Sequence, residues 1–300
     1  MSPPFSASAL ANRLSPLVFV FLWSTGWIIA RYSADYADPL TFLLVRYLSA
    51  GAVLFVYALA AGASWPKSPA EWGHALATGV LLHAIYLGGV WWAVRHGLPA
   101  SISALIAALQ PILTALFAPW LVGERVKPMQ WLGVVLGFFG IALVLSPKLA
   151  SVAPGALASA LAPIVVNVVA MFSITFGAFY QKRAIHSGDL RTVTVLQYVG
   201  AIAVTLPLAW ALEPMKIEWN ATMFAVLAWS VFAVSIGAIA LLLLLIRRGE
   251  VSRSAQLIYL VPPTAALQAY ALFGEKLSPA QIAGMIVTAA GVAMATRPKP

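Results

Sequence analysis

Long runs of apolar residues, separated by short polar stretches, occupy most of this chain. About ten of the runs reach the roughly 20 residues that a helix needs to cross the hydrocarbon core of a bilayer. Their apolar residues are continuous and do not alternate with polar ones, which disfavours the strands of a membrane β-barrel. Because backbone amides find no water partner in lipid, the pattern predicts an all-α membrane protein with ten transmembrane helices.

Proline, glycine and capping residues mark the ends of the predicted helices. Proline is favoured at the first position of a helix, and glycine just beyond the last. Two capping boxes, Ser68–Glu71 and Ser278–Gln281, each with proline at the first helical position, mark the starts of the third and tenth helices. The ten predicted helices cover residues 15–33, 38–61, 68–96, 99–123, 128–146, 155–185, 189–213, 220–248, 252–273 and 278–297.

The composition excludes an ordinary soluble globule and several kinds of site. Charged residues make up 9% of the 300 positions, against roughly 25% in soluble domains. The chain has no cysteine, which excludes disulfides and thiolate metal sites. We predict no metal, no cofactor and no use of ATP, since no nucleotide-binding loop is present. Small residues precede the first apolar run and do not follow it as in a cleavage site, so we expect this helix to be retained.

Basic residues in the loops predict the orientation. The formal net charge is +9, but we attribute it to topology and not to a nucleic-acid partner, because the basic residues lie between the apolar runs. Twelve fall on one side, and we expect this side, the 1–13 tail and both termini to be cytoplasmic. They are Arg13, Lys67, Arg125, Lys127, Lys182, Arg183, Arg191, Arg247, Arg248, Arg253, Arg297 and Lys299, against Arg31, Arg95, Lys148, Lys216 and Lys276 on the other side.

The chain repeats itself at an offset of 151 residues. Pro111 corresponds to Pro262, Gly123-Glu124 to Gly274-Glu275, and Gly140 to Gly291. Five helices per unit is an odd number, so the second unit enters the membrane from the opposite side. We therefore predict two inverted five-helix repeats, at residues 14–148 and 155–299. This arrangement is typical of secondary transporters with a substrate site near the midplane; the alternative is a duplicated scaffold without a transport role.

Several of these residues resemble a known family. The first half contains Trp23-Ser24-Thr25-Gly26, Asp38-Pro39-Leu40, Arg46, Pro111, Glu124, Gln130, Gly133 and Gly140, and the second repeats Pro262, Gly274-Glu275-Lys276, Gln281, Gly284 and Gly291. Over residues 14–296 these motifs resemble the repeat of the drug/metabolite transporter superfamily, EamA type. The second half departs at Gln197, which stands where the first half has Arg46. The resemblance implies a carrier of the bacterial inner membrane, often an exporter, and the chain is most similar to the aromatic amino-acid exporters.

Polar and aromatic side chains inside the predicted spans are the candidates for a substrate site, because intramembrane polar groups are costly and often functional. The alternative is that such a group only hydrogen-bonds a neighbouring helix, or that an aromatic stripe packs against lipid. Arg46 and Gln197 are weaker candidates, since Arg46 could snorkel to the interface. The stronger candidates are Trp23, Trp27, His83, Tyr86, Gln110, Asn167, Gln256 and Tyr259.

Prolines and glycines within the spans predict bends and close packing. Pro111, Pro262 and Pro263 interrupt helical hydrogen bonding, so they could act as gating hinges or form a fixed bend. The glycines of the fifth and tenth helices predict close backbone contact between these two helices. Glu124 and Glu275 are expected to hold the N-terminus of the helix that follows each of them.

These features predict a secondary transporter that exports small metabolites by alternating access through a cavity between the repeats. A mostly aromatic lining suits aromatic and other apolar amino acids, and with only Arg46 inside a span it suits phosphorylated substrates poorly. Export down the substrate's own gradient and proton antiport through His83 are both open. The alternatives are a broad drug or metabolite exporter and a membrane sensor or scaffold that does not transport. No buried nucleophile or carboxylate pair indicates an enzyme, and the oligomeric state, monomer or weak dimer, is open.

Overall fold

The computed structural model describes residues 7–122, 127–151, 157–238, 241 and 260–295. Within these residues the chain is helical apart from one isolated β-bridge and the connecting turns. The helices are α1 (Ala7–Ala34), α2 (Pro39–Ala60), α3 (Pro69–Arg95), α4 (Ala100–Ile106), α5 (Leu109–Val122), α6 (Pro128–Ala150), α7 (Leu157–Ala184), α8 (Leu190–Leu212), α9 (Ala221–Ala238), α10 (Val261–Phe273) and α11 (Pro279–Ala295).

Eight spans within these helices are long and apolar enough to cross a membrane. They are Leu14–Ala34, Pro39–Ala60, Pro69–Arg95, Ala100–Phe117, Pro128–Pro147, Leu161–Ala184, Leu190–Leu212 and Ala221–Ala238, and Pro279–Met294 is a shorter apolar helix. Helix α1 begins at Ala7 and not at Ser15, so that Pro16 lies inside it. The end of the eighth predicted helix and the first part of the ninth, with Gln256 and Tyr259, lie outside the described residues.

The fourth predicted helix is broken in two at residues 107–108. Pro111 has no amide hydrogen, and its ring would clash with the carbonyl of Ala107 four residues earlier in a regular helix. The Ala107 carbonyl instead accepts the Gln110 amide at 3.0 Å, and the Leu105 carbonyl accepts the Ala108 amide at 3.2 Å. The regular helical hydrogen bonding is therefore interrupted next to Gln110 and Pro111.

Two wide π-helical segments lie at corresponding places in the sequence repeat. One is Val80–Ile85 in the middle of α3, and the other is Trp229–Ala238 at the end of α9. Adding 151 to the first segment gives residues 231–236, which fall inside the second. Such segments are rare and are often found at functional sites.

Helices α6 and α11 pack through their glycines. A Cβ added to Gly284 would lie 2.7 Å from the carbonyl oxygen of Gly140, and one added to Gly291 would lie 2.5 Å from the amide nitrogen of Gly137. Real Cβ atoms do not approach backbone this closely. The predicted close contact between the fifth and tenth helices is therefore confirmed.

At one end of the bundle, two glutamates cap helices that are distant in sequence. We call this the upper end; it contains the starts of α2 and α4 and the ends of α8 and α10. Glu213 accepts the amides of Leu40 and Thr41 at 2.8 and 2.9 Å. Glu275 accepts the Ala100 and Ser101 amides at 3.2 and 3.0 Å, and the Ser101 hydroxyl at 2.6 Å. Each carboxylate thus satisfies the free amides of a helix N-terminus.

The contact of Glu275 corrects one expectation. This carboxylate was expected to hold the start of the following helix, but it caps α4 instead. The reason is that α11 has its own capping box, in which Gln281 Oε1 accepts the Ser278 amide at 2.8 Å and the Ser278 hydroxyl accepts the Gln281 amide at 3.3 Å. Glu124 lies outside the described residues.

The opposite, lower end contains the ends of α2 and α7 and the starts of α3 and α8. Glu71 was predicted to complete a capping box, and its amide does donate to the Ser68 hydroxyl at 3.2 Å. Its carboxylate, however, reaches across to the loop before α8, where it accepts the His186 and Ser187 amides at 3.1 and 3.0 Å. The Asp189 amide donates to the Ser64 carbonyl at 2.8 Å.

Candidate functional site

A cavity of about 370 Å³ lies among α1, α2, α3, α7, α8 and α9 and reaches Gln110 at the start of α5. Its volume is in the range of roughly 300–1,000 Å³ that is usual for small-molecule sites. Aromatic and aliphatic side chains form most of its wall. The lining residues are Trp23, Gly26, Trp27, Arg46, Leu82, His83, Tyr86, Leu87, Val90, Trp91, Gln110, Ile174, Ala178, Gln181, Leu190, Thr194, Gln197, Tyr198, Val234 and Ser235.

A second, smaller cavity of about 40 Å³ lies between the broken helix α4–α5 and the start of α10. It brings Pro111 together with Pro262 and Pro263, which correspond in the repeat. It shares Trp23, Trp27, Tyr86 and Gln110 with the larger cavity. The prolines of the two halves therefore face each other beside the same aromatic side chains.

The structure brings most of the candidate residues to these two cavities. Trp23, Trp27, His83, Tyr86, Gln110, Arg46 and Gln197 line the larger one, and Pro111, Pro262 and Pro263 line the smaller one.

Asn167 lies at neither cavity, which corrects its selection as a lining residue. It is fully buried, and its side chain is occupied by Ser103: its oxygen accepts the Ser103 hydroxyl at 3.1 Å and its nitrogen donates to the Ser103 carbonyl at 3.4 Å. Asn167 therefore joins α7 to α4, as expected for an intramembrane amide that ties two helices together.

Arg46 is buried in the wall of the larger cavity and does not snorkel to an interface. Its side chain points across the bundle, where Nε and one terminal nitrogen donate to the Ser235 hydroxyl at 3.2 and 3.1 Å. Its guanidinium carbon lies 5.5 Å from the centre of the Trp91 ring. The other terminal nitrogen, Nη1, is buried without a hydrogen-bond partner in the described part of the chain. Among the described residues, no carboxylate lies within ion-pair distance of Arg46.

Two further nitrogens at this cavity lack a partner. Trp27 Nε1 and His83 Nε2 are both buried without a hydrogen bond among the described residues. The His83 ring packs beside two tyrosines that correspond in the repeat, with its centre 6.0 Å from that of Tyr47 and 4.8 Å from that of Tyr198, and the two tyrosine rings stack on each other at 5.7 Å. Buried polar groups are normally paired, so three unpaired nitrogens at one cavity indicate a place for a ligand.

Gln197, the counterpart of Arg46, is fully engaged by contrast. Its amide nitrogen donates to Gln181 Oε1 at 2.9 Å and to the Thr78 hydroxyl at 3.2 Å. The two halves therefore contribute differently to the cavity: the first supplies a charge, and the second supplies a satisfied amide.

Several lining residues were not among the candidates. Ser235 and Gln181 are polar residues inside predicted helices, so the criterion that selected Gln110 could also have selected them. Trp91 and Tyr198 gave no such signal, because aromatic residues are common throughout the spans. Their position at the cavity depends on how the helices pack.

Comparison with known proteins gives a consistent picture. The model of the EamA-like transporter family matches twice, at residues 14–146 and 161–297. The "Uncharacterized inner membrane transporter YedA" of Escherichia coli K12 is 28% identical over 86% of this chain and 81% of its own. A "Probable amino-acid metabolite efflux pump" of Salmonella typhimurium is 22% identical over 92% and 91%.

Two more matches concern part of the chain and the fold. The "Aromatic amino acid exporter YddG" of Ancylobacter novellus is 26% identical over 52% of this chain and 56% of its own. One crystal structure superposes with a TM-score of 0.63 at 19% identity, over 94% of this chain and 96% of that chain. This last likeness concerns the fold alone.

Proposed function

This chain belongs to the EamA-like transporter family, and we propose on that premise that it exports aromatic and other apolar amino acids. It is a multi-pass inner-membrane transporter and not an enzyme. The single observation that carries the substrate choice is the aromatic cavity with one buried arginine in its wall. Apolar rings suit the side chain of such a substrate, and the arginine suits its carboxylate.

The proposed topology has ten transmembrane helices in two inverted repeats, 14–148 and 155–299, with both termini in the cytoplasm. The two family matches and the paired π segments support two repeats. The predicted five helices per repeat and the excess of basic residues in the loops of the predicted cytoplasmic side support opposite insertion of the two halves.

The proposed mechanism is alternating access through the cavity between the halves. The cavity contacts helices of both repeats, and Pro111 faces Pro262 and Pro263 across the smaller cavity. Interrupted helices at mid-depth are usual at the binding sites of secondary transporters. Bending at these prolines would open the cavity to one end at a time.

Counterflow in proteoliposomes tests this function. Purified protein reconstituted with unlabelled phenylalanine inside should accumulate labelled phenylalanine from outside, and unlabelled phenylalanine, tryptophan and leucine should compete. Trp27→Ala should reduce the rate, because Trp27 lines both cavities. Trp120→Ala is the matched control, since its side chain is 70% exposed on the outer surface.

The outcome separates the alternatives. If none of the three amino acids competes while transport of other solutes proceeds, the amino-acid assignment is wrong. Equal competition by unrelated aromatic drugs would instead indicate a broad drug or metabolite exporter. No counterflow of any solute, with correctly folded protein, would indicate a sensor or scaffold.

A further inference from the structure

We propose that the larger cavity recognises its substrate by a single carboxylate bound to Arg46, and that it does not select for an amino group. The proposal rests on the proposed transport function and adds the chemical group that the site reads. It predicts that aromatic monocarboxylates without an amino group are ligands, and that aromatic amines without a carboxylate bind much more weakly.

The first argument is the missing counter-charge of Arg46. A guanidinium buried in a membrane protein is costly unless it is paired. The Ser235 hydroxyl is neutral and accepts from only two of the three guanidinium nitrogens of Arg46. The third, Nη1, has no partner among the described residues. The preferred partner of a guanidinium is a carboxylate. A substrate carboxylate would therefore neutralise the charge and satisfy the free nitrogen together.

The second argument is that two more side chains of the same cavity have an unpaired nitrogen. Trp27 Nε1 can only donate, and it is buried without an acceptor among the described residues. His83 Nε2 donates in one neutral tautomer and in the protonated ring. A carboxylate offers two oxygens with several acceptor positions, so it can serve more than one of these donors.

The third argument is that the described cavity walls contain one positive charge and no negative charge. No aspartate or glutamate lines either cavity among the described residues. An ammonium group would meet neutral polar groups, such as Tyr86 and Gln110, and aromatic faces, which attract it only modestly, and it would be repelled by Arg46. The contribution of an amino group to binding should therefore be small compared with that of the carboxylate.

The wild-type protein allows a direct comparison. Labelled phenylalanine counterflow is measured against 3-phenylpropanoate, which has the same skeleton without the amino group, and against 2-phenylethylamine, which lacks the carboxylate. Near neutral pH, both the carboxylate and the amine are ionised. We expect 3-phenylpropanoate to compete within about threefold of phenylalanine, and 2-phenylethylamine to need about tenfold more or higher.

Three variants assign this preference to named side chains. Arg46→Gln introduces the residue found at the corresponding position 197, and should raise the half-inhibitory concentration of 3-phenylpropanoate by about 10- to 100-fold. That of 2-phenylethylamine should stay within about threefold. Trp27→Phe keeps the ring but removes the N–H, and should weaken the carboxylate selectively by about three- to tenfold. Arg95→Gln is the control, because Arg95 is exposed at the end of α3.

Ligand-induced thermal stabilisation of the detergent-solubilised protein gives the same comparison without transport. The carboxylate proposal is overturned if 2-phenylethylamine binds as well as 3-phenylpropanoate, or if Arg46→Gln weakens both equally while the protein remains folded. In either case phenylalanine counterflow by the wild type would still support the transport function. Selective binding of carboxylates without any counterflow would instead overturn the transport function and leave the site assignment standing.

Discussion

Arg46 and Gln197 occupy corresponding positions in the repeat, but their side chains differ in how completely they are hydrogen-bonded. Gln197 spends its amide nitrogen on Gln181 and Thr78, so it holds α8 against its neighbours. Arg46 keeps one buried nitrogen without a hydrogen-bond partner among the described residues. At the scale of single residues, we therefore propose that Gln197 of the second half stabilises helix packing, whereas Arg46 of the first half binds substrate.

His83 carries the residue-scale prediction about energy coupling. Its ring packs against Tyr198 at 4.8 Å, and no aspartate or glutamate lines the cavity to form a relay with it among the described residues. We expect a pH gradient imposed across proteoliposomes to cause no concentrative phenylalanine uptake, by either the wild type or His83→Ala. The measurement is the steady-state accumulation ratio with and without the gradient.

His74→Ala is the control. His74 is not part of the cavity wall, and its ring nitrogen forms a hydrogen bond of 2.7 Å with the Tyr180 hydroxyl. Accumulation that follows the pH gradient in the wild type and in His74→Ala, but not in His83→Ala, would establish proton antiport through His83. Export down the substrate's own gradient would then be the wrong mechanism.

Most of the residues selected from the sequence line the cavities, but the directions of their side chains could not be predicted from the sequence. Arg46 lies seven residues inside its helix, a depth from which its chain could extend to the interface or across the bundle. The Arg46 side chain extends across the bundle because it bonds Ser235, which lies 189 residues away in the sequence. Asn167, like Gln110, is an amide inside a predicted span, but its side chain is hydrogen-bonded to Ser103 and does not line a cavity.

At the scale of elements, the break between α4 and α5 is the most direct consequence of a single residue. Pro111 forces the Ala107 carbonyl to accept from Gln110 instead of from residue 111. The helix resumes at Leu109, and Pro119 lies farther along α5 without interrupting it.

Replacing Pro111 tests whether this break in the helix is needed for the conformational change of alternating access. Pro111→Ala restores an amide that can bond the Ala107 carbonyl, which favours a continuous helix by up to about 3 kcal/mol. We expect the counterflow rate at saturating phenylalanine to fall about tenfold or more, while the concentration giving half the maximal rate changes by less than about threefold.

Pro119→Ala is the matched control, because Pro119 belongs to the same helix but to neither cavity. An unchanged rate in Pro111→Ala would show that the bend is a fixed shape with no part in opening. A large loss of affinity with an unchanged maximal rate would assign Pro111 to substrate contact instead.

Element boundaries were largely predictable, whereas the π segments were not. Pro39, Pro69 and Asn220 mark helix starts because capping chemistry is local. The wide turns at Val80–Ile85 and Trp229–Ala238 have no local sequence signature, since they depend on contacts with other helices. One such contact is the hydroxyl of Tyr47, which donates to the His83 carbonyl at 2.9 Å.

At the scale of the whole molecule, the two ends of the bundle differ. The larger cavity extends to Gln181 and Leu190, close to the lower end. The upper end is joined by Glu213 and Glu275 and by the antiparallel bridge between Ala37 and Ile217. Although Glu71 links the lower end to the loop before α8 in a similar way, the cavity lining reaches that end, and we therefore predict that the cavity is closed above.

Single cysteines can test this difference, since the chain has none of its own. Ala178 lines the cavity and is exposed, whereas Ala30, which corresponds in the repeat to the cavity residue Gln181, is fully buried near the upper end. We expect a small maleimide to label Ala178→Cys about tenfold faster or more than Ala30→Cys. Glu213→Gln combined with Glu275→Gln should then increase labelling of Ala30→Cys.

Glu218→Gln is the control, because Glu218 is exposed at the same end and its backbone amide, not its carboxylate, bonds Tyr36. Equal labelling of the two cysteines in the starting protein would contradict a closed upper end. Unchanged labelling after removal of both carboxylates would show that they stabilise helices without controlling access.

The helix caps formed by the Glu213 and Glu275 carboxylates also constrain the order in which parts of the chain can fold during synthesis. Glu213 and Glu275 follow the amides they cap by 173 and 175 residues. At about 5–20 residues per second, the ribosome makes Glu275 roughly 10–35 s after the start of α4. Until then the first amides of α2 and α4 have only water or lipid headgroups as partners. The first half therefore reaches its final form only when the second half has been inserted beside it.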